Sequence, residues 1–203
     1  TYKSVVSLLK KRKDISWLII DSKSKDKSSK IIKGIMKEKK ELKIDAIIEK
    51  DYGIYNAMNK GILYVKSKYL LFLNSGDTIN KKDIMTILNF LKYNENSSII
   101  CGYKTYEKSN FFTENIKLLI HKIEILLKFS LPTSHNSIIY LTKILKSFPF
   151  NEEYICASDY DQYLNLLSNN HYFINKKYFK ITNISNQGFI AKRKLTSYQE
   201  CIK

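Results

Sequence analysis

Cysteine is scarce in this chain: Cys101, Cys156 and Cys201 are the only three in 203 residues. They are odd in number, widely separated and without a Cys-x-x-Cys spacing, which sets aside both a disulfide framework and a zinc ribbon. A cytoplasmic, reducing compartment is the expectation that follows. Only two prolines and six glycines occur, so no Pro- or Gly-rich linker divides the chain, and no internal repeat is visible. One domain spanning 1–203 is expected, a usual size for a chain with 44% apolar residues. Long hydrophobic runs are missing too. Stretches such as Tyr69 to Leu73 fall far short of the roughly 20 residues that cross a bilayer, and no signal-peptide pattern opens the chain. Any membrane contact is expected to be peripheral. Acidic side chains number 19 against 35 Lys and Arg, a net charge of +16. That excess draws phosphates, nucleic acids or an anionic membrane surface and does not choose among them.

Apolar runs of strand length alternate with stretches of helical spacing. Ile15 to Asp21 is an apolar run of strand length that ends in a carboxylate, and Ile44 to Glu49 and Tyr69 to Leu73 are further strands. Between them, Lys27 to Lys40 places Ile31, Ile32, Ile35 and Met36 on one helical stripe, and Ile54, Ala57, Met58, Gly61, Ile62 and Val65 form another. A helix near Asp83 to Leu91 and a strand near Ser98 to Gly102 continue the order. Strand and helix in alternation mean a parallel sheet of the α/β class, with ligands at the strands' carboxyl ends. Further on, the pattern predicts a helix over Asn115 to Phe129, a short strand over Ser137 to Tyr140 and a strand over Tyr178 to Ile184. Asp159 to Leu167 reads as a helix with Tyr160, Tyr163, Leu164 and Leu167 on one face, and Lys192 to Ile202 as a basic helix.

Three carboxylates stand where an α/β fold assembles a site: Asp21 ends a strand, Asp77 closes the turn Asn74-Ser75-Gly76-Asp77, and Asp159 opens a helix. Each alone has a plain structural reading, because Asp is a favoured N-cap and turn residue.

Their surroundings carry more. D-Y-G-I-Y-N-A-M-N-K-G from Asp51 to Gly61, followed by Y-L-L-F-L-N-S-G-D from Tyr69 to Asp77, closely resembles the donor-binding core of family 2 glycosyltransferases. It is most similar to the branch that builds colanic acid, O-antigen and capsule polysaccharides. W-L-I-I-D-S-K-S-K-D from Trp17 to Asp26 is similar to the family's Asp-Gly-x-Ser-x-Asp strand end. L-P-T-S-H-N-S from Leu131 to Ser137 resembles its Ser-His-Gln segment, and F-N-E-E-Y-I-C-A-S-D-Y-D from Phe150 to Asp161 the stretch that carries the general base. Together these cover the chain from about Trp17 to the loop near Gly188.

The resemblance implies a GT-A type fold, Rossmann-like, with a nucleotide-sugar-binding half over 1–103 and an acceptor-binding half over 104–203. It implies that Asp21 accepts a hydrogen bond from the nucleotide base and that Asp51 lines the same pocket. Gly53, Tyr55, Asn59, Lys60, Asn74, Ser75 and Gly76 would complete the donor contacts. Asp77 would hold Mg²⁺ or Mn²⁺ at the diphosphate, and Asp159 would be the general base of an inverting transfer. His135, Asp161, Gly188 and Arg193 would meet acceptor or phosphate. The implied partners are a UDP-, GDP- or dTDP-sugar and a lipid-diphosphate-linked saccharide, with no nucleic acid.

Three departures from the family pattern are visible. Thr1 to Lys11 matches the family's first helix, and the strand that normally precedes it has no counterpart, as a fragment, a misplaced start or a natural truncation would each produce. The metal motif is reduced to Ser75-Gly76-Asp77, and the Gly-Gly-Val-Ser loop to Asn186-Gln187-Gly188-Phe189. Two rival readings follow: an inactive glycosyltransferase fold that only binds a partner, and a basic nucleic-acid-binding protein built around the stretch from His171 to Lys180.

Overall fold

The computed structural model describes residues 1–93, 99–101, 103–106, 135–169, 171, 173–174, 180–184 and 200. The helices expected over Asn115 to Phe129 and Lys192 to Ile202 lie outside these residues, Glu200 excepted, as do Gly188 and Arg193.

Helix α1 (Tyr2–Leu9) precedes β1 (Trp17–Asp21), α2 (Ser28–Glu38), β2 (Ile44–Ile48), α3 (Ile54–Tyr64) and β3 (Tyr69–Leu71). Then come β4 (Thr78–Ile79), α4 (Lys81–Tyr93), β5 (Ile99–Cys101) and β6 (Tyr103–Tyr106). A single 3₁₀ turn, His135–Ser137, leads into β7 (Ile138–Leu141), followed by α5 (Thr142–Ser147), α6 (Ser158–Ser168), β8 (Phe173–Ile174) and β9 (Lys180–Ile184). The α/β alternation read from the sequence is thus present. Strands β1 and β2 pair in parallel, with Trp17 opposite Ile44 and Asp21 opposite Ile48. A four-stranded sheet has the order β3-β7-β5-β8, and a three-stranded one the order β4-β9-β6. β7 lies antiparallel between β3 and β5, so a strand from the second half of the chain is threaded into the first. The stretch from His171 to Lys180, the basis of the nucleic-acid reading, places Phe173 and Ile174 in β8 on the edge of β5.

β7 is buried along its whole length, and its period-2 alternation divides the core. Ile138 and Tyr140 pack with Tyr55, Met58 and Ile62 of α3 and Leu145 of α5, whereas Ile139 faces Leu8 of α1 and Ile84 and Ile87 of α4. A third cluster joins Val5, Val6 and Leu9 of α1 to Leu42 and Ile44. β1 and β3 belong to separate sheets, and a cavity of about 740 Å³ lies among Trp17, Leu18 and Ile20 of β1, Tyr69 to Leu71 of β3, and the faces of α1, α3 and α4. Among the described residues no helix is long and apolar enough to cross a membrane.

Two helix faces differ from the sequence reading. On α2, Ile32 is buried but Ile31 is 59% exposed, so the stripe is narrower. On α6 the buried face is Asp159, Gln162, Tyr163 and Leu166, with Leu164 38% exposed. The cause is Gln162, a polar residue whose Nε2 donates to the Phe148 carbonyl at 2.8 Å and is therefore buried at little cost. This assignment predicts that Leu166→Ala lowers unfolding free energy by about 2–5 kcal/mol, while Leu164→Ala stays within about 0.5 kcal/mol, as measured by denaturant titration.

Candidate active site

Four chain segments meet at the carboxyl end of β3. The turn Asn74 to Asp77 follows that strand and closes with Asp77 N–H donating to the Asn74 carbonyl at 3.1 Å. Gly76 adopts φ +93°, a conformation that side chains disfavour, which explains glycine there. Thr1 braces the turn: its hydroxyl accepts from Gly76 N–H at 2.9 Å and donates to the Asn74 carbonyl at 3.4 Å. Ser75 and Gly76 are exposed, and Asp77 is buried at 3%.

The 3₁₀ turn before β7 lies across the same rim, fixed by a 2.8 Å hydrogen bond between the Ser137 and Thr182 hydroxyls. Its first two residues divide the work. Asn136 Nδ2 donates to Asp77 Oδ2 at 2.6 Å. His135, 2% exposed, has Nδ1 at 3.2 Å from Asp159 Oδ2 and Nε2 at 3.3 Å from Asn74 Nδ2. With the Asn74 amide donating, Nε2 accepts, and the ring proton sits on Nδ1 facing the carboxylate. Asp159 enters from the first turn of α6, where the helix dipole favours an anion. Its Oδ1 accepts from Tyr160 N–H at 3.0 Å and from the Tyr55 hydroxyl at 3.4 Å. Burial, and then the charge of Asp159, push the Tyr55 phenol well above its ordinary value, so it stays a hydrogen-bond donor. Burial also raises the Asp161 carboxyl, two residues on.

Other sequence-predicted residues are placed as follows. Asp21 ends β1, where Ser24 Oγ donates to one carboxylate oxygen at 2.6 Å, and Ser24 N–H and Ser29 Oγ donate to the other at 3.2 and 2.8 Å. Burial alone would raise this carboxyl; the Ser24 and Ser29 hydrogen bonds together outweigh it and hold it below the ordinary range. Among the described residues these donors take three of about four acceptor positions on the carboxylate. Gly53, at φ +145°, caps α3, and Asp51 lies half-buried just before it.

Lys60 and Asn59, both expected at the donor, make hydrogen bonds within the protein. Lys60 Nζ lies 3.0 Å from Glu49 and donates to the Lys50 carbonyl at 2.6 Å, bracing the loop that bears Asp51. Asn59 bonds both backbone groups of Phe150 and donates to Glu152, whose other oxygen takes Asn56. It pins the loop that leads to α6, where Phe150 stacks on Tyr55 at 5.6 Å. Asn136 and Glu200 were not anticipated. Asn136 adjoins the histidine singled out in the sequence, the one signal that pointed to it.

Against known proteins, the model of the family described as glycosyl transferase family 2 matches residues 1–156. An uncharacterized glycosyltransferase of Methanocaldococcus jannaschii is 27% identical over 206 residues, covering 92% of this chain and 67% of the relative. Among solved structures, S. aureus TarS 1–349 in complex with UDP superposes with a TM-score of 0.64 at 18% identity, over 97% of this chain. The mannosyltransferase PcManGT from Pyrobaculum calidifontis, in complex with GDP-Man and Mn²⁺, reaches a TM-score of 0.68 at 12% identity, also over 97% of this chain. The chain spans 60% of the length of each of these two structures.

The Asp21 environment sets a pH dependence. Its folded carboxyl titrates below the ordinary 3.8, so the stability it contributes is present above that value and lost as pH falls through the folded pKa. Asp21→Asn is expected to lower the melting temperature near neutral pH, and the gap to wild type to close below about pH 3.8.

Proposed function

Since the chain belongs to glycosyl transferase family 2, we propose that it moves a sugar from a nucleotide-sugar to an acceptor hydroxyl with inversion, in the building of a surface polysaccharide. The observation that carries this reading is the bridge between two buried carboxylates: adjacent residues His135 and Asn136 hydrogen-bond Asp159 and Asp77 from one turn.

Asp77 fits a divalent cation. Mg²⁺ and Mn²⁺ take oxygen ligands, and Asp77 is aligned by Asn136, whose own Oδ1 is a buried oxygen without a partner. Among the described residues no three His, Cys, Asp or Glu side chains converge, so donor diphosphate and water would complete the ligand set. When bound, the ion supplies charge neutralisation for the departing diphosphate. The Mn²⁺ in the mannosyltransferase complex supports such use.

Asp159 is the general base of this reading. His135, Tyr55 and the Tyr160 amide fix both of its oxygens, so an acceptor hydroxyl meets a carboxylate of set orientation. As the acceptor oxygen bonds to the anomeric carbon, the bond from that carbon to the diphosphate breaks, the proton passes to Asp159, and the nucleoside diphosphate leaves. General-base catalysis of this kind contributes about 10²- to 10⁴-fold. Asp21, Asp51 and Gly53 belong to the nucleotide side, within the half formed by residues 1–103, and Ser75 and Gly76 line the diphosphate. The acceptor side belongs to residues 104–203. A lipid-diphosphate-linked saccharide suits the +16 charge, as does peripheral contact with an anionic membrane at the cytoplasmic face.

The first strand of the family is part of the same proposal. Among the described residues β1 and β3 each end their sheet, with the cavity between them, and Thr1 is bonded to the turn at the carboxyl end of β3. A strand running parallel between them and ending before Thr1 would join the two sheets.

A panel of UDP-, GDP- and dTDP-sugars, assayed for Mn²⁺-dependent hydrolysis and transfer, tests the function. Asp77→Ala is expected to abolish Mn²⁺-dependent nucleotide binding in calorimetry. Asp159→Asn is expected to keep that binding and lose transfer by about 10²-fold or more; near-full transfer would reassign the base.

A further inference from the structure

Helix α6 carries Asp159 yet makes no cap of its own. Its N-cap residue is Ala157, with no side-chain cap hydrogen bond, and alanine is among the poorest residues at that position. Ser158, next in line, is fully buried with its hydroxyl unpartnered. The segment entering the helix is held from the far end of the chain. Glu200 Oε1 accepts from Ile155 N–H at 2.8 Å, and Oε2 accepts from Cys156 and Ala157 N–H at 2.8 and 3.0 Å. Three consecutive backbone donors converge on one carboxylate, at the helix end where negative charge is favoured. No other residue after Asp161 is acidic, so nothing else in that part of the chain can replace it.

We propose that Glu200 is a positioning residue for Asp159. Residues 155–157 set the height and rotation of the first turn of α6, and Asp159 is two residues beyond them. Its contacts to His135 at 3.2 Å and Tyr55 at 3.4 Å lie at the long end of the hydrogen-bond range, so a shift of about 0.5 Å would break them. The carboxylate of Glu200 thereby fixes the orientation of a second carboxylate it does not touch. The inference rests on Asp159 acting as the base; the contact itself does not.

The test uses the full chain with Glu200→Ala and Glu200→Gln, each checked for folding by circular dichroism. Glutamine keeps one accepting oxygen but turns an amide N–H₂ toward the same donors, so it is expected to behave like alanine. The direct readout is the ¹⁵N spectrum of the His135 ring. Wild type should show the Nδ1-protonated form, and both variants an average of the two tautomers as Asp159 moves away. Calorimetric affinity for Mn²⁺ with UDP or GDP should be unchanged, because Asp77 is held by Asn136, which Glu200 does not touch. With a donor that wild type turns over, kcat should fall by about tenfold to 100-fold, the scale on which small misplacements act, with KM retained. A wild-type His135 spectrum in folded Glu200→Ala would overturn the proposal, as would equal losses of nucleotide affinity and kcat. Failure of wild type to bind either nucleotide would instead count against the transferase reading and leave the His135 result standing.

Discussion

The candidate site depends on burying two carboxylates beside one turn without letting them repel each other apart. Asp77 and Asp159 are 3% and 7% exposed, and an ionised group taken from water is costly unless it is hydrogen-bonded. The adjacent side chains of His135 and Asn136 meet that need from a single turn, one facing each acid, while the Asn74 amide links the histidine back to the loop that carries Asp77. Each acid has its own donor, so loss of one contact leaves the other acid held.

What brings the turn there is β7. Its four residues are buried on both faces, so Ile138 and Tyr140 on one side and Ile139 on the other each lock a separate cluster. The strand is inserted beside β3 in a fixed register, Leu71 opposite Ile139, which sets the preceding His135 and Asn136 against the end of β3. The loop after α5 is then pinned to α3 by Asn59, Asn56 and Glu152, and it delivers α6 to the same rim. Residues remote in sequence, Asp77 and Asp159, are therefore held together by core packing rather than by local chain geometry.

Much of this was legible beforehand. Apolar runs of strand length marked β1, β2 and β3, helical spacing marked α2 and α3, and carboxylates at strand ends or helix starts singled out Asp21, Asp77 and Asp159. The parts that escaped are those fixed by pairing. β4, β6 and β8 have two to four residues, too few to show a period, and the antiparallel direction of β7 is set by β3 and β5 and not by its own sequence. On α6, a buried glutamine satisfied by a carbonyl reads as a surface residue, which turned the expected face. Lys60 and Asn59 stand where donor contacts belong by motif, yet their hydrogen bonds go to neighbouring loops. Glu200 acts 43 to 45 residues from its partners, a distance at which no local pattern speaks.

The most direct examination of whether Asp77 and Asp159 serve one site is paramagnetic broadening by Mn²⁺ bound together with UDP or GDP. With ¹³C-labelled aspartate and ¹⁵N-labelled histidine, the Asp159 carboxyl and His135 ring signals should broaden as the Mn²⁺ nucleotide complex forms, while signals of Asp14, which pairs with Arg12 on the surface, should stay sharp. Mn²⁺ nucleotide binding that leaves Asp159 and His135 unbroadened would contradict the account.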